Sequence, residues 1–148
     1  MAVDVQTEVV IARPSHKVAA FATEPGNAPH WYANIQSVRW RTDPPVRVGS
    51  RMDFEARFLG RRLAYTYEVV ELVPGERLVM CTAQGPFPME TTYTWEPIDA
   101  TSTRMTLRNR GQPAGFSRVT GSALAAAMRR ANNKDLAALK RLLEAAPQ

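Results

Sequence analysis

Tyr65 and Tyr67 stand two residues apart, and Thr91, Tyr93 and Trp95 repeat that spacing further along the chain. A spacing of two puts side chains on one face of an extended strand. Hydroxyls on an otherwise apolar face need hydrogen-bond partners once water is excluded. An apolar wall with a few such groups is the chemistry of a small-molecule pocket. The same aromatic residues also serve plain core packing, so both readings stand. Asn109 falls on the apolar side of its own strand, where it either meets water at the strand end or adds an amide to the pocket.

Asp135 and Asn132 lie at the edge of a helix's apolar face. A carboxylate there acts as a general acid or base with a raised pKa, or, as an edge position favours, pairs with a nearby arginine. The chain has two histidines. His16 falls in the first turn of a short helix and is expected at the surface. His30 adjoins Trp31 at a helix-to-strand junction, as an acid/base group or an ordinary surface residue. Neither has a partner at metal-ligand spacing, so no metal is expected. Cys81, between Met80 and Thr82 in a strand, reads as a small hydrophobe. No nucleophile elbow, phosphate loop or dinucleotide fingerprint is present, so no cofactor is expected. Gly111-Gln112-Pro113-Ala114-Gly115 reads as a strand-to-helix turn.

The elements that position these residues follow from hydrophobic period. Over 50–58, Met52, Phe54, Ala56 and Phe58 oppose Arg51, Asp53, Glu55 and Arg57. Over 63–69, Leu63, Tyr65, Tyr67 and Val69 oppose Ala64, Thr66 and Glu68. Met89, Thr91, Tyr93 and Trp95 take one face of 89–96; Met105, Leu107 and Asn109 take one face of 103–110. This alternation marks antiparallel strands with one dry and one wet face. Residues 4–12, 35–41 and 77–83 are strands of weaker alternation. Turns are expected at Asp43-Pro44-Pro45, Leu59-Gly60-Arg61, Pro74-Gly75-Glu76, Gly85-Pro86 and Pro97-Ile98-Asp99. Pro14 opens a short helix carrying Val18, Phe21 and Ala22, Pro25-Gly26 ends it, and a second helical turn runs from Pro29 to Ala33. No proline falls between Pro113 and Pro147. That interval predicts a long amphipathic helix, Pro113 in its first turn, with Leu124, Ala125, Met128, Ala131, Leu139, Leu142 and Leu143 inward. A meander of strands with one long helix to bury predicts a curved sheet gripping that helix.

Composition sets the frame. The chain has 148 residues, 45% of them hydrophobic and 22% charged, an ordinary globular balance. No run reaches the ~18 apolar residues of a membrane span, and the N-terminus has no signal-peptide pattern. One cysteine excludes an intrachain disulfide and fits a reducing, cytoplasmic compartment. The net charge is +5. Residues 114–146 hold six basic and two acidic side chains, so the excess is mainly the outer face of the long helix. On the strands, arginines interleave with Asp53 and Glu55 opposite the aromatic face, which argues against nucleic-acid binding through the sheet.

The chain resembles the START/Bet v 1-like superfamily, in particular its polyketide cyclase/dehydrase-type (SRPBCC) proteins. The similarity is carried by Pro14, Val18, Phe21 and Trp31, and by Val48-Gly49-Ser50-Arg51 and Gly60-Arg61. It continues through Glu71-Leu72-Val73-Pro74-Gly75-Glu76-Arg77-Leu78, Gly85-Pro86, Tyr93-Thr94-Trp95-Glu96-Pro97, Asp135-Leu136 and Leu139-Lys140. The resemblance implies one domain over 1–148 with an α+β helix-grip fold. About seven antiparallel strands would curve around the C-terminal helix, with two short helices after the first strand. It also implies an apolar cavity between sheet and helix that takes a hydrophobic or aromatic small molecule.

The residues expected to line that cavity are Trp31, Phe54, Tyr65, Tyr67, Thr91, Tyr93, Trp95, Asn109 and Phe116, with Trp40 and Phe58 as further aromatic candidates. Carriage of such a ligand is the leading expectation. A cyclase or dehydratase would need an acid/base pair from His30, Tyr65, Tyr67, Tyr93, Asn109 or Asp135. A third reading uses the basic helix face for an acidic partner.

Overall fold

The computed structural model describes residues 2–113 and 120–146. Seven strands form one curled sheet: β1 (Val3–Ile11), β2 (Ile35–Trp40), β3 (Arg51–Phe58), β4 (Arg61–Val73), β5 (Arg77–Gln84), β6 (Met89–Asp99) and β7 (Ser102–Gly111). Their order is β1-β7-β6-β5-β4-β3-β2, antiparallel throughout, so β2 to β7 are a meander and β1 closes the far edge on β7. Between β1 and β2 come α1 (Ser15–Thr23), a 3₁₀ turn (Pro25–Asn27) and the four-residue α2 (Ala28–Trp31). The long α3 (Gly121–Ala145) packs in the hollow of the sheet, most closely on β1. The α+β helix-grip architecture read from the sequence is the one observed.

Alternation does the sorting. Met52, Phe54, Ala56, Leu63, Tyr67, Val69, Tyr93, Trp95, Met105 and Leu107 are buried on the concave face. The convex face carries arginines paired across strands: Arg108 with Asp4 at 2.6 Å, Arg51 with Glu68 at 2.7 Å, and Arg110 with Glu90 at 2.8 Å. Such exposed pairs contribute little each, but they satisfy the charges that the sequence interleaves. The β3–β4 hairpin turns on Leu59 and Gly60, both at positive φ (51° and 76°). Two left-handed residues make the turn whose twist matches the flanking strands.

Four local expectations need correction. Pro113 does not open the long helix. That helix begins at Gly121, where Thr120 accepts a hydrogen bond from the Ala123 amide at 3.1 Å and caps it. Pro97-Ile98-Asp99 is strand, not turn; a register shift between Pro97 and Asp99 accommodates the proline, and the chain reverses at Ala100-Thr101. Leu142 is 41% exposed, because the helix turns it away from the sheet. Thr66 lies on the convex face yet is buried, its hydroxyl donating to Asp53 at 2.6 Å.

The far end of α3 is fastened by polar contacts. Glu144 accepts from the Ala12 amide at 2.8 Å, Lys140 donates to the Val10 carbonyl at 2.8 Å, and Arg13 donates to the Glu144 and Ala146 carbonyls at 2.7 and 2.8 Å. These ties hold that end against the β1 terminus. The other half of the helix spans the open part of the sheet.

Candidate functional site

Between that half of α3 and the concave face of β3 to β7 lies a cavity of about 150 Å³. An apolar protein cavity of roughly this size is enough to take benzene. Phe54 and Phe58 of β3, Leu63 of β4, Met80 of β5, and Leu124 and Met128 of α3 supply most of the apolar wall. On the wall, Phe54 and Tyr65 stack at 5.5 Å with planes 12° apart, and Tyr67 meets Tyr65 edge-on at 5.0 Å.

The polar groups fall into two networks. On the sheet, the Tyr67 hydroxyl lies 2.7 Å from Thr91 Oγ1, which donates to Asn109 Oδ1 at 2.7 Å. Thr91 has one proton and gives it to Asn109, so Tyr67 must donate to Thr91. The register makes this possible, because Thr91 and Asn109 are direct partners across β6 and β7. At the α2 side, the Tyr32 and Tyr93 hydroxyls are 2.6 Å apart. The pair holds two protons and their shared bond uses one, leaving one for a further acceptor. Burial raises the pKa of all four tyrosines, that of Tyr67 to about 12 against the opposing Thr91 bond. They therefore act as neutral phenols at neutral pH.

Asp135 is the unexpected member. The edge-of-face reading with an arginine partner is overturned: Asp135 is 2% exposed, lines the cavity, and accepts the Ala33 amide at 3.0 Å. Burial raises its pKa to about 6; the Ala33 bond and nearby Lys134 oppose that rise. Asn132, one turn earlier on α3, is 5% exposed and also lines the cavity, and its Nδ2 has no hydrogen-bond partner among the described residues.

Of the residues expected at the cavity, the structure brings Phe54, Tyr65, Tyr67, Thr91, Tyr93 and Asn109 to one wall, with Phe58 beside them. Asn109 is half-buried and bonded to Thr91 rather than left at a wet strand end. Trp31 and Trp95 are not on the wall. Both are buried behind Tyr93, at 5.8 and 6.0 Å from its ring, filling the end of the core that α1 and α2 cover. Trp40 packs at the core margin and is likewise off the wall. Phe116 lies outside the described residues. His30 is exposed in the last turn of α2. Cys81 is half-buried, and burial and Glu90 push its thiol pKa up, away from nucleophilic reactivity. Tyr32 and Asn34 also line the cavity and were not anticipated; they sit just past α2, where no period marks a facing.

Fold and cavity together define a helix-grip protein with an apolar chamber between sheet and helix. The family model described as polyketide cyclase / dehydrase and lipid transport matches residues 2–144. The chain belongs to that family, within the START/Bet v 1-like superfamily. Among solved structures, TTHA0849 from Thermus thermophilus is similar with a TM-score of 0.81 at 17% identity, over 97% of this chain and 100% of that one. The Zhui aromatase/cyclase from Streptomyces sp. R1128 is similar with a TM-score of 0.80 at 16% identity, over 97% and 94%. A START superfamily protein from Mycobacterium smegmatis is similar with a TM-score of 0.70 at 16% identity, over 95% and 94%. Comparison with curated proteins gives no match. At these identities the structural likeness speaks for the fold alone.

Proposed function

We propose that this protein binds and carries a hydrophobic, aromatic small molecule in the chamber between the sheet and α3. One observation carries the reading: an apolar aromatic wall that converges on a small set of hydroxyl, amide and carboxyl groups. That combination is what a site for an oxygenated aromatic ligand requires. Phe54, Tyr65, Tyr67, Thr91, Tyr93 and Asn109 contact the ligand in this reading. Trp31 and Trp95 support Tyr93 from behind. The lone cysteine fits a cytoplasmic setting.

A second reading, a polyketide cyclase or dehydratase, is favoured by Asp135. A buried carboxyl whose pKa is raised to about 6 can hold or accept a proton near neutrality. The Tyr32–Tyr93 pair would supply the companion donor.

Native mass spectrometry of protein incubated with aromatic ketones, phenols, fatty acids and sterols tests the leading reading. It expects one aromatic ligand per chain and a matching rise in Tm. Changing Tyr67→Phe should weaken an oxygenated aromatic several-fold while sparing the fold. Affinity should hardly change with ionic strength; a steep salt dependence would point instead to the basic face of α3. Binding of no aromatic compound, or equal binding by Tyr67→Phe, would count against the proposal.

A further inference from the structure

Asn132 carries a side-chain N–H group that no described residue takes up. Its residue is 5% exposed, it lines the cavity, and its Nδ2 meets no acceptor among the described residues. A buried N–H without a partner costs the full desolvation of that group; of the three such groups among the described residues, Trp31 Nε1, Trp95 Nε1 and Asn132 Nδ2, that of Asn132 alone belongs to a residue of the cavity wall. On a helix face of leucine, methionine and alanine, an apolar residue of similar volume would pack without that cost. The neighbours are also unevenly satisfied. One turn on, Asp135 is occupied by the Ala33 amide at 3.0 Å. Ala33 follows Tyr32, whose pair with Tyr93 has one hydroxyl proton to spare. On the sheet, the hydroxyl protons of Tyr67 and Thr91 are both taken within the Tyr67–Thr91–Asn109 chain. The unpaired Asn132 amide and the spare hydroxyl proton of the Tyr32–Tyr93 pair thus both stand where α3 meets the segment after α2.

Building on the cavity reading above, we propose that Asn132 Nδ2 is the specificity-determining donor of the chamber. It selects ligands with a hydrogen-bond-accepting oxygen, an aryl ketone carbonyl above all, and the Tyr32–Tyr93 pair supplies a second donor to the same end. The ring system of such a ligand lies against Phe54, Tyr65 and Phe58, and its carbonyl points at the helix. A ligand without an acceptor fills the same space but leaves the amide unpaired. The discrimination is large for that reason: a site built to bond an oxygen penalises the analogue that lacks it.

Two probes of nearly equal shape separate the terms: 1-tetralone, which carries one carbonyl, and tetralin, its hydrocarbon. Calorimetric titration gives the ratio of their affinities in wild-type protein and in Asn132→Leu. The ratio should fall about tenfold in the variant, or 1.4 kcal/mol, through loss of 1-tetralone binding, with tetralin bound as before or more tightly. Retained tetralin binding shows that the variant chamber is formed. Independently of any variant, the Asn132 side-chain amide resonances of the wild-type protein should shift with 1-tetralone and stay in place with tetralin. An unchanged ratio, or resonances that ignore the ketone, overturns the role of Asn132 while leaving the cavity as the binding site. Equal loss of both probes in the variant makes Asn132 a structural residue and also overturns it. Failure of the wild-type protein to bind either probe refutes the cavity reading itself, and this inference with it.

Discussion

Replacing Asp135 by asparagine should make the protein more stable at neutral pH, and the gain should disappear in acid. Asparagine keeps an oxygen for the Ala33 amide and removes the charge. The folded carboxyl has a pKa of about 6 against 3.8 for the free group. Roughly two units at 1.36 kcal/mol each correspond to about 3 kcal/mol. Because the folded pKa is the higher one, the native state holds the proton more tightly. Its contribution to stability is complete below pH ~4, is lost as pH rises through ~6, and is absent above ~7. Asparagine carries no such dependence. Urea unfolding of both proteins at intervals from pH 4 to pH 8 isolates this, because every other titrating group cancels in the difference. The variant should gain about 3 kcal/mol relative to wild type between the two ends. With a urea slope of about 2 kcal/mol/M for a chain of this size, that is a midpoint shift of ~1.5 M. A stability difference flat across pH, or growing toward acid, would refute a buried, strained carboxylate at this position.

Leu139, on α3 with no exposed surface, should cost about 2–5 kcal/mol when cut to alanine, read by the same unfolding assay. Gly111→Ala should cost about 3 kcal/mol, since a Cβ there would run into the Pro88 carbonyl oxygen and sit 2.9 Å from Met89 Cα. Gly26→Ala is its control: the added carbon meets only Glu24 Oε1 at 3.7 Å, and Tm should change little.

The face of each strand was legible because alternation is a local property. Phe54, Tyr65, Tyr67 and Tyr93 could be assigned inward without knowing what they faced. Depth along the strand was not legible. Trp95 shares a face with Tyr93, but whether a residue there meets packed core or open chamber depends on where α1, α2 and α3 sit over the sheet. Asp135 failed for a related reason. A helical projection puts it near the apolar edge, whereas its burial depends on the Ala33 amide, 102 positions away. The start of α3 was misplaced because Thr120 has no acidic residue three positions on, so only its own hydroxyl marks the cap. Tyr32 was missed because the four residues of α2 are too few to establish a period.

If the chamber itself is the ligand site, filling it is the most direct test. Ala131 lines the cavity from α3 and is half-buried. A phenyl ring there would occupy space on the scale of a cavity that holds benzene. Calorimetric titration of 1-tetralone into wild-type and Ala131→Phe protein, each first checked for a cooperative thermal transition, makes the comparison. One ligand per wild-type chain and none in the folded variant is the predicted result. Equal affinity in both proteins would contradict the account.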